Sequence, residues 1–214
     1  MLPPKKIFKY IFLFLLINLS SSLQATDHSV NYLKGKFYES VKDNFLVATN
    51  QMRDPKFKKT VITILENDEN GAWGLVINKT IGLVALKDLI NPSENLYSDK
   101  KNIKSKKIPI YWGGPVDRNR IFILHSNEYE SESTIKFNKI SVSTDLKTLF
   151  KIAENKGPKN NLVIVGISSW GPGQLEGEME REGWVLSEIK TDLIFKGKDL
   201  EKWKKAIKNS FIKL

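Results

Sequence analysis

A chain of 214 residues with 41% hydrophobic and 27% charged residues can bury a real core and has the make-up of a globular protein. It contains no cysteine, which excludes disulfides, a thiolate nucleophile, iron–sulfur clusters and a Cys-type zinc site; two histidines, His28 and His125, are too few for a histidine-rich metal centre. The net charge is +10, but only four of the 34 basic residues are arginine, so the excess reads as a solvated lysine coat and not as a DNA-reading surface, which leans on arginine.

The chain opens "MLPPKKIFKYIFLFLLINLSSSLQATDHS". Lys5, Lys6 and Lys9 precede an almost unbroken apolar run over 10–19, and Ser20, Ser21, Ser22 and Ala25 follow. That is the layout of a secretory signal peptide over residues 1–25. The run falls short of the roughly 20 residues a membrane-spanning helix needs. Cleavage is expected after Ala25, although Leu23 is large for its position; an uncleaved leader would be a short membrane anchor. Removing the three lysines takes the charge from +10 to +7. The expectation is an exported, periplasmic protein, with a cytoplasmic one as the alternative.

Residues 26–44 are polar and weakly patterned, an extended arm. Strands are predicted over 44–49, 60–67 and 72–78, with Asn70-Gly71 as a hairpin signal between the last two. "LVALKDLI" (83–90) has helical spacing and stops before Asn91-Pro92. The lysine-rich stretch 91–107 reads as a loop. A strand over 108–112 enters the turn "GGPV" (113–116), and "RIFILHS" (120–126) is a buried strand. Two short strands flank Asn138-Lys139 within 133–143. Ser143 or Thr144 then caps a helix whose apolar face is Leu146, Leu149, Phe150 and Ala153, and Gly157-Pro158 ends it. "NLVIVGI" (161–167) has the continuous apolar character of a central strand. An acidic helix, a strand over 184–190 and a last helix from near Asp199 complete the chain. That last helix is expected to bury Leu200, Trp203, Ile207 and Phe211 and to expose Lys202, Lys205 and Lys208. Strands and helices mix without repeats, so 45–214 reads as a single mixed α/β domain.

Three segments, "FLVATNQMRDPKFKKTVITILENDENGAWGLVINK" (45–79), "GGPVDRNRIFILHS" (113–126) and "SSWGPGQLEGEMEREGWVL" (168–186), together resemble the AlgH/YqgE family of bacterial proteins. Their order matches, and they span nearly all of 37–190. The resemblance implies a mixed α/β fold with a bifurcated sheet curled into a partial barrel and flanking helices. It implies no established reaction. A link to regulation of transcription goes with the family name and would need a cytoplasmic protein, whereas this chain is expected to carry a leader.

Three chemistries can be tested on the residues. A nucleophile elbow needs Gly-x-Ser-x-Gly, and Gly166-Ile167-Ser168-Ser169-Trp170 puts Trp170 where the second glycine must admit a closely packed helix. A triad of Ser168 or Ser169 with His125 and Asp54 or Asp117 has no local support. A carboxylate metal site could use Glu176/Glu180 or Glu178/Glu182, which share helix faces, with His125 or Asp117. A helix N-terminus carrying acids over a buried Leu175/Met179 stripe accounts for them more simply. A phosphate cradle could form at "WGGPV" or "WGPGQ", but neither matches a phosphate-loop fingerprint. Pro172 lacks an amide donor, and Glu176 and Glu178 would repel the anion. The candidate binding residues are therefore Gly113, Gly114, Pro115, His125, Trp170, Gly171, Gly173, Gln174, Glu176 and Glu178, with no cofactor and no metal called for. His125 reads first as a hydrogen-bonded structural residue. The favoured function is non-catalytic binding or regulation through an unidentified protein or small-molecule partner. Export would argue against nucleic acid and limit membrane contact to the leader. A cytoplasmic transcriptional regulator is one alternative; a hydrolase or metal-dependent enzyme built on His125 and the 168–178 turn is the other.

Overall fold

The structure is a computed structural model that describes residues 41–90 and 105–212. The expected leader, nearly all of the expected arm and most of the lysine-rich loop lie outside the described residues.

Short runs of β-branched and aromatic residues between turn formers make strands the main element. β1 (Asn44–Ala48), β2 (Val61–Asp68) and β3 (Gly71–Val76) form an antiparallel meander. Its hairpin closes as expected: Asp68 pairs with Gly71, and Asp68 Oδ1 accepts the Asn70 amide at 2.7 Å. The segment expected as a helix over 83–90 is instead strand β4 (Thr80–Ala85) followed by one 3-10 turn, Leu86–Asp88. Eight apolar-rich residues satisfy either period, and pairing decides: Val84 lies opposite Ile108 of β5 (Lys107–Trp112), and Leu86 drops fully into the core.

β6 (Val116–His125), β7 (Ile135–Lys136) and β8 (Ser141–Ser143) follow. Helix α1 (Leu146–Ala153) is capped by Asp145, one residue beyond the expected Ser143 or Thr144; its Oδ1 accepts the Thr148 amide at 2.7 Å. β9 (Asn161–Trp170) runs three residues past its predicted end, then come α2 (Gln174–Glu180), β10 (Trp184–Glu188), the short α3 (Thr191–Phe195), α4 (Asp199–Lys208) and β11 (Ser210–Ile212).

The strands join in the order β11-β10-β1-β2-β3-β9-β6-β8-β7, with β4 and β5 off this path. β9 is the trunk. Along one edge it pairs with β6; along the other its first half runs parallel to β5 (Tyr111 opposite Ile164) and its last residues pair with β3 (Trp73 opposite Ser169). The sheet thus forks where one edge passes from β5 to β3, and it curls into the partial barrel expected of the fold. The "GGPV" turn sits in the fork. A Cβ on Gly113 would overlap the carbonyl of Gly166 and the side chain of Ile164, and one on Gly114 would overlap the backbone of Ile167 and Ser168. Gly166, at φ 76°, supplies the bend in the trunk.

Among the described residues, two apolar clusters pack on the sheet. One joins Leu46, Ile62, Val76 and Trp170 to Leu175 and Met179 of α2, the predicted stripe. The other joins Leu86, Ile110 and Val163 to Leu149 and Phe150 of α1. Helix α4 is rotated relative to its expected face. Trp203 and Ala206 are buried, but so is Lys202, while Leu200 is exposed. Lys202 is held because its ammonium donates to the carbonyls of Ile194 (2.7 Å) and Ile77 (3.0 Å), which the sequence pattern of one helix does not reveal.

Candidate functional site

A cleft of about 410 Å³ opens between the β1–β2 loop, the "GGPV" turn and α2. Met52 and Phe57 form one wall, Pro115 and Ser169 another, and Trp170 and Trp184 the floor; Gln174, Glu178, Arg53 and Arg181 bring the polar groups. Trp170 ends β9 and Trp184 begins β10, so an indole stands on the strand at each side of α2. The two rings meet edge to face at 6.1 Å, Phe57 stands edge-on to Trp184 at 5.6 Å, and Trp112 backs Phe57 at 5.4 Å.

Glu178 is the chemical centre of this floor. Both indole N–H groups donate to its Oε2, Trp170 at 3.0 Å and Trp184 at 2.8 Å, and Gln174 Nε2 donates to Oε1 at 3.1 Å. Gln174 in turn accepts the Gly171 amide, so the Gly-Pro-Gly bend is closed on itself. That amide is spent within the turn and does not face an anion. The β1–β2 loop is fastened to α2 from the other side: Thr49 Oγ1 donates to the Glu182 carbonyl at 2.5 Å and Gln51 Nε2 to its carboxylate at 2.6 Å.

Of the residues singled out from sequence, Pro115, Trp170, Gln174 and Glu178 line the cleft. The "GGPV" and "WGPGQLE" turns therefore do share a site. Gly113 and Gly114 serve the sheet fork behind it. Gly171 and Gly173 shape the turn, where Gly173 takes the left-handed position before α2, and Glu176 sits in the first turn of α2 outside the lining. His125 is elsewhere. It pairs with Asn161 at the opposite end of β9 from Ser168, roughly 20 Å along the strand. The hydrolase built on His125 and the 168–178 turn is thereby excluded as drawn: Ser168 is buried and its hydroxyl donates to the Gly113 carbonyl at 3.0 Å.

His125 belongs to a buried polar cluster instead. Its Nδ1 meets the Ser126 carbonyl at 2.9 Å and its Nε2 meets Ser143 Oγ at 2.8 Å, which leads through Thr134 and Ser131 to Asp145. Burial pushes the imidazole below its ordinary value, against the opposing influence of Ser126, Glu128 and Asp145. Burial acts against the Asp145 carboxylate too, yet hydrogen bonds from Ser131, Ser133 and Thr148 hold it below the usual range. His125 and Ser143 are both sealed from solvent, so the pair stabilises the β6–β8 edge and offers no nucleophile. Among the described residues no group of three His, Asp or Glu side chains is placed to hold a metal ion.

The AlgH-like family model matches residues 45–214. The chain belongs to the AlgH-like family. A UPF0301 protein of Pseudomonas putida (strain W619) is 36% identical over 157 residues, covering 72% of this chain and 80% of its own. One from Rickettsia prowazekii (strain Madrid E) is 35% identical over 176 residues, covering 81% and 90%. The solution structure of the AlgH protein from Pseudomonas aeruginosa is similar with a TM-score of 0.65 at 34% identity, over 78% of this chain and 87% of that one. A Corynebacterium diphtheriae protein at 19% identity and TM-score 0.56, over 77% and 84%, shares the fold.

The three segments by which the sequence resembles the family all reach the cleft. Met52, Arg53 and Phe57 come from the first, Pro115 from the second, and Ser169 through Trp184 from the third. Arg53, Phe57, Arg181 and Trp184 were not among the residues singled out from sequence. Their signal was present in the quoted "MRDPKF" and "EREGW" runs, but no spacing rule links residues 53 and 181 before the sheet is assembled.

Proposed function

We propose that this AlgH-like protein is a non-catalytic binding protein, exported from the cytoplasm, whose ligand site is the aromatic cleft floored by Trp170 and Trp184. The observation that carries the reading is the convergence of the three family segments on one cleft of about 410 Å³, a volume within the range of small-molecule sites, with apolar walls and a few placed polar groups. The character of those groups supports binding over turnover. Glu178 is engaged by three donors that fix its orientation, Ser168 is tied to a backbone carbonyl, and the sole described histidine lies at the far end of β9. General base catalysis requires a base within hydrogen-bond reach of its proton donor, and His125 has Ser143 alone in that position, out of solvent.

Export rests on the leader pattern of residues 1–25. Fractionation with N-terminal sequencing tests it, and a periplasmic chain beginning at Thr26 is the expected result. Binding is tested by a thermal-shift screen of small molecules against the wild-type chain and a Trp170→Ala variant. Hits should be lost in the variant. Turnover of an ester, phosphate or peptide substrate that disappears on substitution of a cleft residue would refute the non-catalytic assignment.

A further inference from the structure

The cleft carries charges of both signs that have no ion-pair partner among the described residues. On the floor, Glu178 has three N–H donors and no ion pair among the described residues. A carboxylate offers roughly four acceptor positions, two per oxygen. Oε2 is filled by the two indoles, so a single position remains, on Oε1 beside Gln174. Arg53 and Arg181 also line the cleft, and among the described residues neither guanidinium has a hydrogen-bond or ion-pair partner. Asp54, the remaining charged lining residue, uses Oδ1 to accept the Lys56 amide at 2.8 Å within its own turn. The lining holds two cations and two anions, together with the apolar side chains of Met52 and Phe57.

Building on the reading of this cleft as a binding site, we infer that its ligand is a small zwitterion of the amino-acid or dipeptide type. Its ammonium meets Glu178 Oε1, its carboxylate meets Arg53 and Arg181, and its apolar side chain lies against Phe57 and Met52. The open position on Oε1 suits one N–H of a compact ammonium. A guanidinium fork or the edge of a guanine base needs both carboxylate oxygens free, and Oε2 is taken. A ligand of phosphate alone would face Glu178 with nothing to offset it, and a simple amine would face two arginines. A neutral molecule with separated charges satisfies both ends. The arginines suit a carboxylate because their planar donors match it bidentately. At about 410 Å³ the cleft lies at the small end of ligand sites, consistent with one or two residues and not a long peptide.

The test uses the full chain labelled with 15N at tryptophan, with the indole signals of Trp170 and Trp184 assigned from Trp→Phe variants. The twenty L-amino acids are titrated singly, then dipeptides of apolar residues, which separates the two sources. The tightest binder is repeated as its N-acetyl and methyl-ester forms. Saturable shifts of both indoles are expected, with each blocked form binding about tenfold or more weakly. Glu178→Gln should weaken the parent compound but not its N-acetyl form. The double variant Arg53→Gln/Arg181→Gln should weaken the parent but not its ester. Equal binding of parent and blocked forms overturns the zwitterion. Silence from every amino acid and dipeptide, with shifts from a nucleotide or phosphate, overturns it while leaving the cleft a binding site. Silence from a broad small-molecule library overturns the binding site as well.

Discussion

Lys202 is the residue whose burial most directly alters how stability depends on pH. Its ammonium is 1% exposed in α4, gives hydrogen bonds to the Ile77 and Ile194 carbonyls, and stands 5.5 Å from the Tyr111 ring. Burial pulls its pKa from 10.5 to about 8, with Asp199 opposing. Between those values the unfolded chain holds the proton and the folded chain does not, so stability rises with pH across the window. At about 1.36 kcal/mol per pH unit, the gain between pH 7 and pH 10 is about 2–3 kcal/mol. The neutral amine keeps two N–H donors for the same two carbonyls, so the charge is lost without the hydrogen bonds. In Lys202→Met the carbonyls lose their donor, at a cost of about 1–3 kcal/mol each, and the cost of burying a cation disappears with it. The two effects offset near pH 7. At pH 10 the variant should be less stable than wild type by about 2–3 kcal/mol more than at pH 7. Urea unfolding followed by tryptophan fluorescence at pH 7, 8, 9 and 10 measures this. Burial also raises Tyr111, so its unfolded form ionises first and stability falls as pH rises past about 10; the series stops there. Parallel pH curves for wild type and variant would show that Lys202 keeps its unfolded pKa despite its burial, and would refute the reasoning.

Three other outcomes bear on the fork, the cap and the buried histidine. Gly113→Ala should destabilise by roughly 3 kcal/mol or more or prevent folding, because its Cβ has the Gly166 carbonyl in its place; Gly171→Ala, with open space at that position, should fold normally by circular dichroism. Asp145→Ala should cost about 1–2 kcal/mol at pH 7 through loss of the α1 cap. Because hydrogen bonds hold the Asp145 carboxylate low, the wild-type advantage persists above the ordinary carboxylate range and fades as acid protonates it, which denaturation at pH 7 and pH 3 compares. For His125, held below its ordinary value by burial, the unfolded chain takes up the proton first. Wild-type Tm should therefore fall as pH drops below about 6.5, and His125→Asn should remove that slope without altering ligand binding at the cleft.

The local pattern of residues determined most elements of this protein. β-branched runs became β1, β2, β3, β5 and β9, the Leu175/Met179 pair became the buried stripe of α2, and Trp170 closed the elbow that a catalytic serine would need. Such features depend on neighbours within a few residues, and the period of burial records them. Tertiary structure decided what depends on distant partners. Residues 83–85 are strand because Ile108 and Pro109 lie opposite them, and Lys202 points inward because Ile77 supplies a carbonyl from 125 residues away. The cleft belongs to the same class. Arg53, Pro115, Glu178 and Trp184 have no common period, and only the forked sheet, with glycine at the crossing where a Cβ cannot fit, brings their three segments to one place.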